Sequence, residues 1–257
     1  MRFRLTFALT GSKENILPLN YQYELSSWIY RILNAADPAF AGWLHDQGYT
    51  DDRKQFKMFT FSNLIIPLRR VQGDRLEIRT PEISLIISML PSDMIRHFIT
   101  GIFQDQLFTL GDRLTRVPLK VVSVEGLLEP EFSGHMSFAA LSPLLISFKY
   151  PEDRYARYLK PDDPFYPVLF FRNLKEKFRT LNGNDMPFNE KDGRFELLTD
   201  PRKKGILIKS GTPQESKIIG YQYDFRLTAP AELLRLGYYT GFGEKNSMGF
   251  GCGEVRD

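Results

Sequence analysis

Cysteine is almost absent from this 257-residue chain: Cys252 stands alone, so no intrachain disulfide can form, and a reducing compartment, the cytoplasm, is expected. Histidine is scarce too. His45, His97 and His135 show no Cys/His or His/His spacing of a metal site, so neither a metal nor a cofactor is expected. No apolar run reaches the ~18 residues a membrane helix needs. The first residues, Met1 to Phe7, alternate charged and apolar side chains, unlike a signal peptide. There is no Gly-x-Ser-x-Gly elbow for a serine hydrolase. Charge of one sign is also lacking: 34 Lys and Arg against 31 Asp and Glu leave +3, so only local clustering could point to a nucleic acid. What is abundant is aromatic. With 21 Phe and 12 Tyr the chain has ample material for a packed core and does not read as disordered.

Periodicity supplies the elements. Phe3, Leu5, Phe7 and Leu9 share one face of a strand. Tyr21, Leu25, Trp28, Ile29, Ile32 and Leu33 recur at helical spacing over about 20–35. Asp37-Pro38 starts a short helix that stops at Gly48. Strands are expected over 56–61, 64–68, 75–79 and 82–90, then a helix capped by Ser92-Asp93, then strands at 107–110 and 119–128. The order is β-α-β-β-α-β, the ferredoxin-like arrangement. A similar order follows: strand material at 138–148, a helix over 166–181, strands at 195–198, 205–209 and 218–228, a helix over 230–237 with Gly237 as its C-cap, and a last strand at 249–255. The expected fold is α+β, two tandem ferredoxin-like modules, 1–125 and 126–257, flanking a cleft.

Cations collect in three places. Arg53, Lys54, Lys57, Arg69, Arg70, Arg75 and Arg79 lie in one stretch, and Arg202, Lys203, Lys204 and Lys209 in another. Lys149-Tyr150 and Arg154-Tyr155-Ala156-Arg157-Tyr158 interleave cations with rings, the pairing that suits single-stranded RNA. Each cluster alone reads as an ordinary solvated loop or hairpin; the three together with a glycine-rich stretch near the C-terminus point to an RNA surface.

Residues 237–253 hold six glycines, at 237, 241, 243, 249, 251 and 253, around the polar tetrad Glu244-Lys245-Asn246-Ser247. Successive N–H groups in such a loop form anion-binding nests. No helix follows the glycines, so this is not a mononucleotide phosphate loop. The stretch 241–251 closely resembles the C-terminal glycine-rich loop of the CRISPR repeat-processing endoribonucleases, the sixth family in the Cas nomenclature and part of the RAMP group of RNA-binding proteins. Three further segments resemble that family: Ile29-Tyr30-Arg31, Leu44-His45-Asp46, and Lys57 before Met58-Phe59-Thr60-Phe61-Ser62. So does Leu141 to Ile146.

On residue type alone His45, in the last turn of a short helix, reads as a surface histidine or as a proton-transfer group. The resemblance implies the second. It implies metal-independent endonucleolytic cleavage of CRISPR repeat RNA (pre-crRNA), with a 2′-hydroxyl attacking the adjacent phosphorus. The products would be a 2′,3′-cyclic phosphate and a 5′-hydroxyl. His45, Tyr30 and Lys57 would be catalytic, with Lys54 competing with Lys57, and with the base either Tyr30 or His45. RNA contacts would come from Gly241, Gly243, Glu244, Lys245, Asn246, Ser247, Gly249, Lys54, Arg202, Lys203 and Lys204. The partner is repeat RNA; other effector subunits and a second copy of the chain are further partners this reading admits. A non-catalytic RAMP-type RNA-binding subunit is the alternative, and a binder of a small anionic ligand a third reading.

Overall fold

The computed structural model describes residues 1–11, 15–51, 54–210 and 212–256. The alternation at the N-terminus gives the strand Arg2–Leu9, which sits in the middle of a five-stranded sheet. Its order is Phe59–Phe61, Glu82–Met89, Arg2–Leu9, Arg116–Gly126, Leu107–Gly111, with every neighbouring pair antiparallel. A second, four-stranded sheet runs Arg194–Leu197, Asp224–Thr228, His135–Ala140, Gly253–Arg256, again antiparallel. Helices α1 (Gln22–Ala36), α2 (Pro38–Asp46) and α3 (Ser92–Gln104) belong to the N-terminal half; α4 (Tyr166–Asn182) and α5 (Ala231–Thr240) belong to the C-terminal half. Two large apolar cores result, one built from residues between Phe3 and Val121, the other from residues between Met136 and Phe242.

Local chemistry explains most boundaries. Asp37 caps α2 by accepting from the Phe40 N–H at 2.9 Å, with Pro38 in the first turn. The strand expected over 56–61 is interrupted, because Met58 takes a positive φ of 54° between Lys54–Phe56 and Phe59–Phe61. The strand expected at 64–68 reduces to one bridge between Ile65 and Ser84. The residue at the cap of α3 is Pro91, and Ser92 is already helical without a side-chain cap bond. Helix α5 runs through Gly237 to Thr240 rather than stopping there. A Cβ at 237 would fall 2.3 Å from the Phe242 ring, so this glycine serves close packing, and Gly241, with φ of 91°, ends the helix instead. Past Ala140 the segment 141–146 leaves the sheet and becomes the bed of the glycine-rich loop: the Pro143 and Leu145 carbonyls accept from the Gly251 and Glu244 N–H groups at 2.8 Å each.

The two ends of the chain meet between the halves. Arg2, almost fully buried, donates to the Gly253 carbonyl at 2.7 Å and lies 4.3 Å from the centre of the Tyr238 ring. Phe242 and Phe250, both within the glycine-rich loop, are completely buried. Burial of each contributes roughly 1.5–3 kcal/mol, enough to make the loop part of the core rather than a surface strap. Among the described residues no helix is long and apolar enough to cross a membrane.

Candidate active site

Helix α2 buries Ala41 and Leu44 and thereby turns the next residue outward. The His45 side chain is 71% exposed, and its Nδ1 lies 2.9 Å from Asp46 Oδ1. No described residue bonds Nε2, so with Nδ1 engaged it is the nitrogen left for proton transfer. Tyr30, one face of α1 away from the core residue Ile29, meets the imidazole edge-on, with ring centres 5.4 Å apart and planes at 81°. Phe59 supports the same phenol ring from the sheet at 5.8 Å. Burial pushes the Tyr30 phenol up to about 12, against a lowering contribution from its hydrogen bond with the Ser247 side chain. The phenol is therefore a donor at neutral pH.

Lys57 approaches from the main chain. Its ammonium donates to the Leu44 carbonyl at 2.5 Å and the His45 carbonyl at 2.8 Å. These are open carbonyls at the end of α2, which a cation satisfies well. Burial lowers the Lys57 pKa, with the Asp46 carboxylate opposing. Described residues engage two of its three N–H donors. Lys54, its competitor, is paired with Glu176 of α4 at 2.6 Å. Arg53 lies outside the described residues.

The glycine-rich loop forms the wall beside Tyr30. Ser26, one turn before Tyr30 on α1, donates its hydroxyl to the Ser247 carbonyl at 2.7 Å. Residues Asn246–Met248 form a 3₁₀ turn preceded by Lys245 with φ of 59°. The N–H groups of Phe242, Glu244, Met248, Gly249 and Gly251 bond to backbone carbonyls; those of Lys245, Asn246 and Ser247 have no acceptor among the described residues. Glu244 accepts from the Ser147 N–H at 3.0 Å and its hydroxyl at 2.8 Å. The Asn246 amide points inward, donating to the Phe242 and Phe250 carbonyls at 3.2 and 3.1 Å. Gly243 and Gly249, like Gly241, are buried, and within the loop's polar tetrad only Lys245 is exposed.

Beneath the loop lies a buried cation. Lys177 of α4 is 1% exposed, and its ammonium contacts Gly241 O at 2.6 Å, Gly243 O at 2.8 Å and Asn246 Oδ1 at 2.7 Å. Burial pulls its pKa down to about 7, with Glu244 and Glu176 opposing. It was legible as a position: Phe170, Leu174 and Lys177 share the apolar face of α4 at helical spacing.

Arg202, Lys203 and Lys204 project from the hairpin Arg202–Ile208/Ser216–Gln222, all exposed. Arg202 and Lys204, with Arg69, line a groove of about 730 Å³ that also takes in Tyr21, Gln22, Asn63 and Gln222. Gln22 and Tyr30 are both on α1, eight residues apart, so the groove and the His45 surface lie about 12 Å apart along that helix. Elsewhere the cations are partly spoken for. Arg75 binds Asp112 at 2.6 Å and Arg79 binds Glu77 at 2.8 Å. Arg157 sits over Tyr150 and Arg154 over Tyr155. His97 stacks on Phe40 at 4.6 Å, and His135 bonds Thr228 at 2.8 Å.

Comparison with known proteins agrees over the whole length. A family model described as CRISPR associated protein Cas6, C-terminal, matches residues 127–255, and one described as CRISPR-associated protein Cas6, N-terminal, matches residues 16–118. The chain is 29% identical over 252 residues to CRISPR-associated endoribonuclease Cas6 1 of Methanocaldococcus jannaschii, spanning 96% of this chain and 91% of that protein. It is 28% identical to a CRISPR-associated endoribonuclease-like protein Cas6 of Pyrococcus furiosus, spanning 98% of each. The solved structure of a Cas6-related gene product from Pyrococcus furiosus superposes with a TM-score of 0.84 at 27% identity, over 100% of this chain and 98% of that one.

Proposed function

The chain belongs to the Cas6 family of CRISPR-associated proteins, and from that premise we infer that it is an endoribonuclease that cuts CRISPR repeat RNA into guide RNAs. The observation that carries the chemistry is an exposed imidazole, His45, set edge-on to a protonated phenol, Tyr30, which the glycine-rich loop holds through Ser247. In the reaction His45 Nε2 takes the proton of a 2′-hydroxyl, and the freed oxygen attacks the adjacent phosphorus. As the bond to the 5′-oxygen breaks, the Tyr30 phenol gives that oxygen its proton and is later reprotonated from the imidazolium through solvent. The products are a 2′,3′-cyclic phosphate and a 5′-hydroxyl. Assigning the donor role to Tyr30 follows from a phenol kept protonated below about 12. Lys57 presents its remaining N–H to a phosphoryl oxygen, as preorganised cations do. The free N–H groups of 245–247 and the Lys245 ammonium receive the neighbouring phosphate.

The rest of the RNA follows the groove lined by Arg69, Arg202 and Lys204, with Lys203 beside it. The two sheet orders support reading the halves as ferredoxin-like modules, 1–125 and 126–257, with the groove and the loop between them. We place the protein in the cytoplasm, where the buried Cys252 stays reduced.

Tyr30→Phe is expected to slow single-turnover cleavage by about 10²-fold, since it removes one proton-transfer group. RNA affinity should stay within about threefold. A chelator is expected to leave the rate unchanged, because side chains, backbone N–H groups and solvent handle every proton and charge in this scheme. A gel of labelled repeat RNA, with and without protein and with each of these changes, checks all three statements. A non-catalytic RNA-binding subunit would retain the groove and loop yet give no cleavage product on that gel.

A further inference from the structure

Two cations are almost wholly buried among the described residues, Arg2 and Lys177. Arg2 fastens the first strand to the last. Lys177 differs, because all three contacts of its ammonium go to the glycine-rich loop. Positive φ values at Gly241, Gly243 and Lys245 fold this part of the loop into an arch. The Gly241 and Gly243 carbonyls and the Asn246 side-chain oxygen converge beneath it. Two buried carbonyls and a half-buried amide oxygen meeting at one point require a multivalent donor, and an ammonium supplies one.

We propose that Lys177 is a positioning residue for RNA cleavage, shaping the 241–246 arch so that the turn 246–248 holds Ser247 against Tyr30. The proposal rests on the endoribonuclease reading above. The chain of contacts is short. Lys177 binds Asn246 Oδ1; Asn246 in turn donates to the Phe242 and Phe250 carbonyls, one on each side of the turn. The turn presents the Ser247 carbonyl to Ser26 and the Ser247 hydroxyl to Tyr30, two residues one turn apart on α1. Lys177 itself is fixed, since α4 is seated in the C-terminal core by Phe170, Phe171 and Leu174. The preceding residue, Glu176, binds Lys54 in the hairpin Tyr49–Asp51/Lys54–Phe56, which leads directly to Lys57. One turn of α4 therefore grips both the loop under Tyr30 and the segment that delivers Lys57. Lys177 has no exposed surface through which to touch RNA, so its part in the reaction passes through the loop.

The test uses the full chain with a single fluorotyrosine at position 30, read by ¹⁹F NMR without RNA, alongside single-turnover cleavage at saturating protein. Lys177→Met is expected to shift the position-30 resonance and slow cleavage roughly 10- to 100-fold, the scale of a misplaced reacting group. RNA affinity should fall by a smaller factor than the rate, since the turn also carries the free N–H groups of 245–247. Asn246→Ala is expected to shift the same resonance and slow cleavage in the same direction, and the double variant should be little slower than Lys177→Met alone. A role confined to stability would lower the melting temperature but leave the resonance and the rate of folded protein in place. The proposal is overturned if folded Lys177→Met keeps the wild-type resonance or cleaves within about twofold of wild type. Should Lys177→Met fail to fold, Asn246→Ala decides by the same two readouts. If wild-type protein cuts no repeat RNA, the endoribonuclease reading fails, while the resonance still reports whether Lys177 governs the surroundings of Tyr30.

Discussion

His45→Ala is expected to reduce repeat-RNA cleavage by about 10²–10⁴-fold while RNA affinity changes by no more than a few fold, the range for a lost general base. The substitution is well suited to separate chemistry from folding. The side chain is 71% exposed, so its removal opens no cavity. Lys57 bonds the main-chain carbonyl of residue 45, which alanine retains. The Tyr30 ring loses one edge contact but keeps Phe59 on its other side and Ser247 at its hydroxyl. An unchanged melting temperature with lost cleavage would place the defect in proton transfer. Full-rate cleavage by His45→Ala would remove this residue from the mechanism.

Gly251→Ala is expected to do the opposite and damage fold and function together. Gly251 has φ of 77°, and an added Cβ would come within 2.0 Å of the Phe242 carbonyl oxygen. That carbonyl accepts from Asn246 Nδ2, and Phe242 N–H donates to Gly251 O, so the clash falls on the two bonds that close the loop. The left-handed conformation costs a non-glycine residue about 1–2 kcal/mol, and displacing packed backbone about 1–3 kcal/mol more. At roughly 2–4 °C per kcal/mol for a chain of this size, the melting temperature should fall by about 10 °C. Binding and cleavage should fall with it, since the loop carries both Ser247 and the free N–H groups of its turn. Thermal unfolding with a binding titration checks this; a variant as stable as wild type would show that the loop adapts elsewhere.

The placing of Tyr30 beside His45 was more legible in the sequence than the interior of the loop. Tyr30 and His45 stand together because each follows a residue of a clear apolar stripe, Ile29 on α1 and Leu44 on α2, so their faces were legible. The Asp37-Pro38 start was legible for the same kind of local reason. Of the two competing lysines, Lys57 sits on the carbonyl of His45 while Lys54 pairs with Glu176. Less visible were features decided by tertiary contact. Gly237 looks like a helix stop, yet it is the residue that lets Phe242 pack against α5. Glu244 and Asn246 look like outward polar groups, yet their partners are Ser147, Lys177 and the loop's own carbonyls. Lys177 itself looks like one more cation on a basic helix, and only its register with Phe170 and Leu174 marks it as inward. No local pattern states where a distant carbonyl will end up, and for that reason the interior of the loop could not be read from its residues.

The central claim is that the RNA's own 2′-hydroxyl is the nucleophile at the His45–Tyr30 surface. A series of repeat RNAs, each with one 2′-deoxy nucleotide, tests it most directly when product ends are mapped. One substituted position is expected to block cleavage completely, with all others cut to a 2′,3′-cyclic phosphate and a 5′-hydroxyl. Cleavage of every member of the series, or products ending in a 3′-hydroxyl and a 5′-phosphate, would contradict it.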